Sequence, residues 1–220
     1  MLFVKLGNTI HKFTREVVTM SVSFAESKTK ENLMRAFAGE SQARNRYTFA
    51  AGQAKKENLA AVSEIFSYTA GQEKEHAEIF YNYLKECSGS NIEIDGSYPV
   101  DIYDNTVKLL RAGQHNEYEE HDDVYQHFGD TAKEEGFLEI AETFYKIAKI
   151  EKTHGDRFGL LAELLESNQL YSSSSKKRWI CLNCGHIHEG NEVPPKCPVC
   201  QHDKGYFLPE ELAPYHQCQN

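Results

Sequence analysis

The stretch GQEKEHAEIF (71–80) carries a Glu-x-x-His step, Glu73 and His76, and the step returns as Glu151 and His154, 78 residues later at both positions. Each copy lies within apolar residues at helical spacing. One stripe runs through Val62, Phe66, Thr69, Phe80 and Tyr83, the other through Phe144, Ile147, Phe158 and Leu161. Two more stripes, Leu33-Phe37-Glu40-Tyr47-Ala51 and Leu110-Gly113-Glu117-Glu120-Val124-Phe128, bring the number of amphipathic helices to four. Few folds accept acids and histidines at such positions.

Short links within each helix pair and a long middle connection (88–101) predict a mainly α chain, with residues 23–168 forming a four-helix bundle of the ferritin-like type. A carboxylate on a core-facing stripe is costly unless compensated. Cations on these faces are scarce, Arg44 being the nearest. Two divalent ions would set +4 against the −5 of Glu40, Glu73, Glu117, Glu120 and Glu151. A dinuclear metal site therefore resolves the electrostatics. Residues three apart on a helix point only about 60° apart, so a Glu-x-x-His step offers two ligands to neighbouring positions. Carboxylates bridge hard ions, while imidazole favours Fe, Zn or Cu over Mg and Ca. The same offset relates Tyr47 to Tyr125, Ala54-Lys55 to Ala132-Lys133, Glu64 to Glu142, Phe66 to Phe144 and Phe80 to Phe158. An internal duplication thus builds two halves of one site, which a bundle with incidental Glu-x-x-His steps would not do.

Beyond the bundle the composition changes. NQLYSSSSKK (168–177) reads as a polar linker, with 169–177 as its span. Residues 178–216 hold Cys181, Cys184, Cys197 and Cys200, two Cys-x-x-Cys pairs able to enclose one tetrahedral metal, iron or zinc. Cys87 and Cys218 stand alone, and Trp179 reads as packing for the small module. No disulfide framework is indicated, which suits a reducing compartment such as the cytoplasm. Residues 1–22 form a basic amphipathic extension. It reads either as an organelle transit segment or as sequence upstream of a start at Met20. A net charge of −9 argues against nucleic acid or an anionic membrane as partner, and no apolar run spans a bilayer.

AFAGESQARNRY (36–47), QEKEH (72–76) and IEKTH (150–154) resemble a rubrerythrin, and WICLNCGHIHEGNEVPPKCPVC (179–200) resembles that family's rubredoxin-like module. The resemblance implies a diiron centre on Glu40, Glu73, Glu117, Glu120, Glu151 and His154, with His76 as an alternate ligand exchanging with Glu120 on reduction. It also implies that Tyr47 and Tyr125 lie beside the cluster, and that one iron sits on the four cysteines. One stretch departs from the family pattern: in RAGQHNEYEEHDDVY, Gln114 follows Ala-Gly where a glutamate is usual. The preferred register treats Gln114-His115-Asn116 as an insertion and keeps Glu117 and Glu120; the ungapped register pairs Gln114 with Glu117. His115, His121, His127, His186, His188 and His202 read as exposed.

Two irons passing from ferrous to ferric can deliver two electrons to an O–O bond, and a cysteine-bound iron can reload them singly. The expected activity is a peroxidase reducing hydrogen peroxide to water in oxidative-stress defence. The resemblance implies electrons derived from a nicotinamide cofactor through an NAD(P)H-dependent rubredoxin-type reductase or a rubredoxin. A ferroxidase or iron-storage protein is the alternative from another class, and a zinc-ribbon interaction protein the third. A short flexible linker on a bundle about 40 Å long further predicts a homodimer in which one chain's module serves its partner.

Overall fold

The computed structural model describes residues 22–214. The extension up to residue 21 and Cys218 lie outside the described residues. Helix α1 (Lys28–Lys56) and helix α2 (Ala60–Tyr83) form one hairpin. Helix α3 (Thr106–Glu119), a π-helical turn (Glu120–Val124) and helix α4 (Tyr125–Glu134) run on as one rod, which pairs with helix α5 (Leu138–Glu166). These four rods are the expected ferritin-like bundle, with the crossover between α2 and α3.

The duplication visible in the stripes extends to the turns. Asn58 and Gly136, one 78-residue repeat apart, both adopt left-handed φ, 60° and 91°, and close the two hairpins alike. Leu59 N donates to Ala54 O at 2.9 Å, and Phe137 N to Ala132 O at 2.8 Å. Each turn also caps the opposite hairpin. Glu57 accepts from Thr106 N at the start of α3 (2.8 Å), and Glu135 accepts from Lys28 N (3.0 Å) and Thr29 N (2.9 Å) at the start of α1. A carboxylate there satisfies orphan amides and complements the helix dipole. The sequence reading missed these two caps, although their 78-residue spacing was a signal that could have found them.

Two aromatic clusters repeat the symmetry in the core. Tyr47, Phe66 and Phe158 pack on one side, with Tyr47–Phe158 centroids 5.0 Å apart and Phe66–Phe158 5.1 Å. Their counterparts Tyr125, Phe144 and Phe80 pack on the other, at 5.5 Å (Tyr125–Phe80) and 4.9 Å (Phe144–Phe80). The metal-ligand stripes lie between these two apolar plugs, which exclude water from both ends of the site.

Residues 169–177 are not the free linker expected from their serine content. Leu170 is buried in the bundle core, and strand β1 (Ser172–Cys181) begins two residues later. With strand β2 (Ile187–Glu192) and strand β3 (Phe207–Pro209) it forms an antiparallel sheet in the order β2-β1-β3. Four consecutive serines, Ser172 to Ser175, put polar side chains on both faces of the strand's start, so the composition of a linker and that of an exposed strand end look alike. Trp179 fills the module's small core and donates from its indole to Leu170 O (3.1 Å). The module seats on its own bundle, because Leu208 joins the core of α1, α2 and α5, and Gly205 lies directly against Asn58 O.

Candidate metal centres

The fold brings the two Glu-x-x-His steps face to face. Glu73 and Glu151 each present one oxygen to each histidine. His76 Nδ1 lies 3.2 Å from Glu73 Oε2 and 2.9 Å from Glu151 Oε1. His154 Nδ1 lies 2.9 Å from Glu73 Oε1 and 2.9 Å from Glu151 Oε2. Glu40 completes the first set, 3.9 Å from His76 Nδ1, and Glu117 the second, 3.7 Å from His154 Nδ1. In each set, one ligand atom per residue lies within 4.8 Å of all the others. Two sets sharing two carboxylates are the donor geometry of a carboxylate-bridged metal pair.

These atoms fit metal ions better than they fit each other. Both oxygens of Glu73 and of Glu151, one each of Glu40 and Glu117, and Nδ1 of both histidines are buried without a hydrogen-bond partner. Orphaned polar atoms on this scale are costly in a protein core, and ions at their convergence would satisfy them together. Burial pushes the Glu40 carboxyl well above its usual range, with repulsion from Glu151 and Glu73 adding to it. Burial likewise raises Glu117, to about 8. Desolvation alone would raise Glu73, but the two histidines facing its oxygens lower it to about 2.

Tyrosines brace the outer pair of carboxylates reciprocally across the pseudo-twofold. The Tyr125 hydroxyl donates to Glu40 Oε1 at 2.6 Å, and the Tyr47 hydroxyl donates to Glu117 Oε1. Glu40 precedes its repeat-mate tyrosine Tyr47 by seven residues, whereas Glu117 precedes Tyr125 by eight. The π-helical turn absorbs that extra residue and restores the register of everything after it, a use to which such turns are often put at functional sites.

Glu120 opens the π-turn and lies outside both tight sets, half-buried, its carboxyl raised by burial and by Glu117, Glu151 and Glu73. Gln114 is not in the cluster: it accepts from Arg111 (2.8 Å) and packs over Gly159. Arg44, the cation expected nearest the site, is exposed. Arg46 and Arg157 are the half-buried cations near the site. Arg157 is held by Thr69 (2.9 Å), and Arg46 by Gln42 (2.6 Å) and Asp101 (2.9 Å), with Asn116 also donating to Asp101 (2.8 Å). Sequence reasoning missed this network because Asp101 belongs to the crossover, which has no periodicity. His115, His127 and His202 are exposed as expected; His121, His186 and His188 are half-buried.

Cys181, Cys184, Cys197 and Cys200 converge in the same way, with Sγ–Sγ separations of 3.7 Å for Cys181–Cys200 and for Cys184–Cys197. That spacing is far too long for disulfides. It matches the edge of a thiolate tetrahedron with metal–sulfur bonds of about 2.3 Å. Two knuckles build it. Gly185 and Gln201, each following the second cysteine of its pair, take left-handed φ (76° and 63°). The amides of Cys181 and Cys197 reach His186 O (2.8 Å) and His202 O (2.7 Å). Burial raises the Cys181 thiol to about 12, while a backbone hydrogen bond from His202 lowers that of Cys200 to about 6.

The class of protein is thereby defined: a ferritin-like bundle with a carboxylate–histidine diiron site, joined to a four-cysteine rubredoxin-like iron module. The family model "Rubrerythrin" matches residues 31–162, and "Rubrerythrin, rubredoxin-like domain" matches 179–208. The rubrerythrin of Clostridium perfringens is 44% identical over 186 residues, covering 84% of this chain and 95% of that protein. The rubrerythrin of Nitratidesulfovibrio vulgaris is 40% identical over 185 residues, with 84% and 95% covered. The chain belongs to the rubrerythrin family. A solved structure of fully reduced, all-ferrous nigerythrin superposes with a TM-score of 0.57 at 26% identity, covering 94% of this chain and 100% of that one. Membership makes an oxidoreductase of it, with iron as the cofactor that both donor sets fit. Among the described residues no helix is long and apolar enough to cross a membrane.

Proposed function

We propose that the chain is a peroxidase that reduces hydrogen peroxide to two waters, consuming two electrons and two protons, in oxidative-stress defence. The observation that carries this reading is the pair of donor sets sharing Glu73 and Glu151, built into a chain that also holds a tetrathiolate site. An iron pair on Glu40, Glu73, Glu117, Glu120, Glu151 and His154 would supply both electrons together, and the cysteine-bound iron would restore them singly. His76 and Glu120 are the exchanging ligands of the proposal: His76 Nδ1 lies within the first donor set and Glu120 outside both. Tyr47 holds a proton at Glu117 Oε1 and Tyr125 one at Glu40 Oε1, each placed to pass it on as oxygen charge develops. The aromatic plugs keep bulk water from competing for those protons.

Electrons enter from a nicotinamide cofactor through a separate rubredoxin-type reductase or rubredoxin, in a reducing compartment. Residues 22–168 act as the peroxide-reducing unit and residues 169–214 as the electron inlet. The active form is a homodimer in which each module serves the partner's bundle. Within one chain the module seats at Asn58, fifteen residues from Glu73 and so about 22 Å along α2. Phe49, Val100 and Ile102 leave an exposed apolar face that a second copy would cover.

Anaerobic stopped-flow tests the reaction. Reduced, metal-quantified protein mixed with one equivalent of hydrogen peroxide is expected to oxidise at both centres rapidly, and Glu151→Ala to lose the diiron phase. Sluggish oxidation by peroxide, combined with uptake and aerobic oxidation of added ferrous iron, would replace this reading with a ferroxidase. Mixed dimers of a Cys181→Ser chain and a Glu151→Ala chain are expected to recover activity; no recovery would place electron transfer within one chain.

A further inference from the structure

Four of the carboxylates in the bundle site are sealed from solvent. Glu40 and Glu151 are 0% exposed, and Glu73 and Glu117 are 1% exposed. Glu120 alone has appreciable surface, and it floors a cavity of about 230 Å³ together with Tyr125. The α1 wall of this cavity is Arg35, Ala36, Gly39, Gln42 and Arg46, with Ala36 one turn and Gly39 one residue before Glu40. The outer wall is the crossover, which contributes Gly96, Ser97, Pro99 and Tyr98, the last 39% exposed.

Tyr98 is a fixed part of that wall. Its ring lies 3.8 Å from where a side chain on Gly39 would begin, and its hydroxyl donates to Arg35 O at 3.2 Å. Gly96 makes room for the ring, since a Cβ there would come within 3.1 Å of it. The strap is pinned on both sides of Tyr98: Asp95 pairs with Arg35 at 2.6 Å, and Asp101 with Arg46 at 2.9 Å and with Asn116 at 2.8 Å. Asp95 is exposed, so its pair is largely screened. The Asp101–Arg46 pair is mostly buried and is the firmer anchor. Cavities that take drug-sized ligands begin near 300 Å³, and this one is smaller, with an aromatic ring at its mouth.

We infer that Tyr98, carried by the crossover over the mouth of the cavity at Glu120, is a specificity-determining residue that admits hydrogen peroxide and excludes bulky organic hydroperoxides. The inference rests on the peroxidase reading and names the substrate class of that same site. Discrimination is steric: the ring packs against helix α1 at Gly39, and swinging it aside breaks its hydrogen bond to Arg35 O.

The test compares second-order rate constants for oxidation of the reduced, iron-matched protein by hydrogen peroxide and by cumene hydroperoxide. In Tyr98→Ala the cumene-to-hydrogen peroxide ratio is expected to rise about tenfold or more, while in Tyr98→Phe it stays within about twofold of the native value. Tyr98→Leu is expected to fall between them, which keeps the question answerable should the alanine variant lose iron. A readout independent of turnover is the affinity of the oxidised centre for benzohydroxamate relative to azide, followed by charge-transfer absorbance. It is expected to shift in the same direction. Unchanged ratios in both readouts for the Ala and Leu variants would overturn the inference. If hydrogen peroxide fails to oxidise the native protein, the peroxidase reading falls, and the hydroxamate-to-azide ratio still decides whether Tyr98 guards the cavity.

Discussion

Glu73 and Glu151 occupy positions that require a carboxylate, because each offers one oxygen to His76 and the other to His154. Replacing Glu151 by alanine is expected to release the bundle iron while leaving the four-cysteine iron in place; metal analysis with the visible spectrum of the ferric thiolate centre checks this. The tyrosines allow a sharper comparison. Tyr47→Phe and Tyr125→Phe each strand a buried glutamate oxygen, and each should destabilise the bundle by about 1–3 kcal/mol. Because the two sit at equivalent places in the duplication, their losses in chemical denaturation should agree. A clearly unequal pair would contradict the pseudo-twofold.

The π-helical turn Glu120–Val124 matters as a device of register. A helix advances about 100° per residue, so one surplus residue would swing every later side chain off its stripe. Deleting Asp122 is expected to convert the turn to regular α-helix at the seven-residue spacing of Glu40 to Tyr47, with Tyr125 and Phe128 kept in the core; a collapse of the thermal midpoint on deletion would contradict the register role. The reciprocal caps belong to the same scale. Glu57→Ala and Glu135→Ala should each cost about 0.5–2 kcal/mol, since each frees amides at the start of a long helix.

At the scale of the whole molecule, protons and metal compete for the same groups. Without metal, burial holds Glu117 up to about 8. Burial alone would lower His76, but the Glu151 and Glu73 carboxylates facing it outweigh this and lift it to about 9. Both values lie above those of the unfolded chain, so the metal-free bundle carries more protons than the unfolded chain in this range. Its extra stability is fully present below the unfolded values and is lost as pH rises through about 8 to 9. Metal binding requires those protons to leave, so the loaded protein should gain stability over part of the range where the metal-free protein loses it. Thermal midpoints of both forms from about pH 5 to about pH 8 would show opposite slopes; parallel slopes would refute the competition. Gly205→Ala tests the seating of the module. A methyl group there meets Asn58 O, and the overpacking should cost about 1–3 kcal/mol without changing the thiolate spectrum.

The sequence by itself determined the four-rod bundle, the two metal sets and the cysteine tetrahedron. Periodicity and motif spacing are local properties, and the 78-residue repeat marked the two Glu-x-x-His steps as halves of one site; which glutamate faces which histidine came from the packing. Tertiary structure alone decided the rest. The reciprocal bonds from Tyr47 to Glu117 and from Tyr125 to Glu40 join residues 70 and 85 apart, at separations no helical period encodes. Arg46 rather than Arg44 turned toward the site, held there by a crossover aspartate. Residues 169–177 were polar enough for a linker, yet Leu170 found the bundle core and the following serines became strand β1. In each case the partner that settled the outcome lies far away in the chain, and long-range contacts leave no mark on the local pattern of either residue.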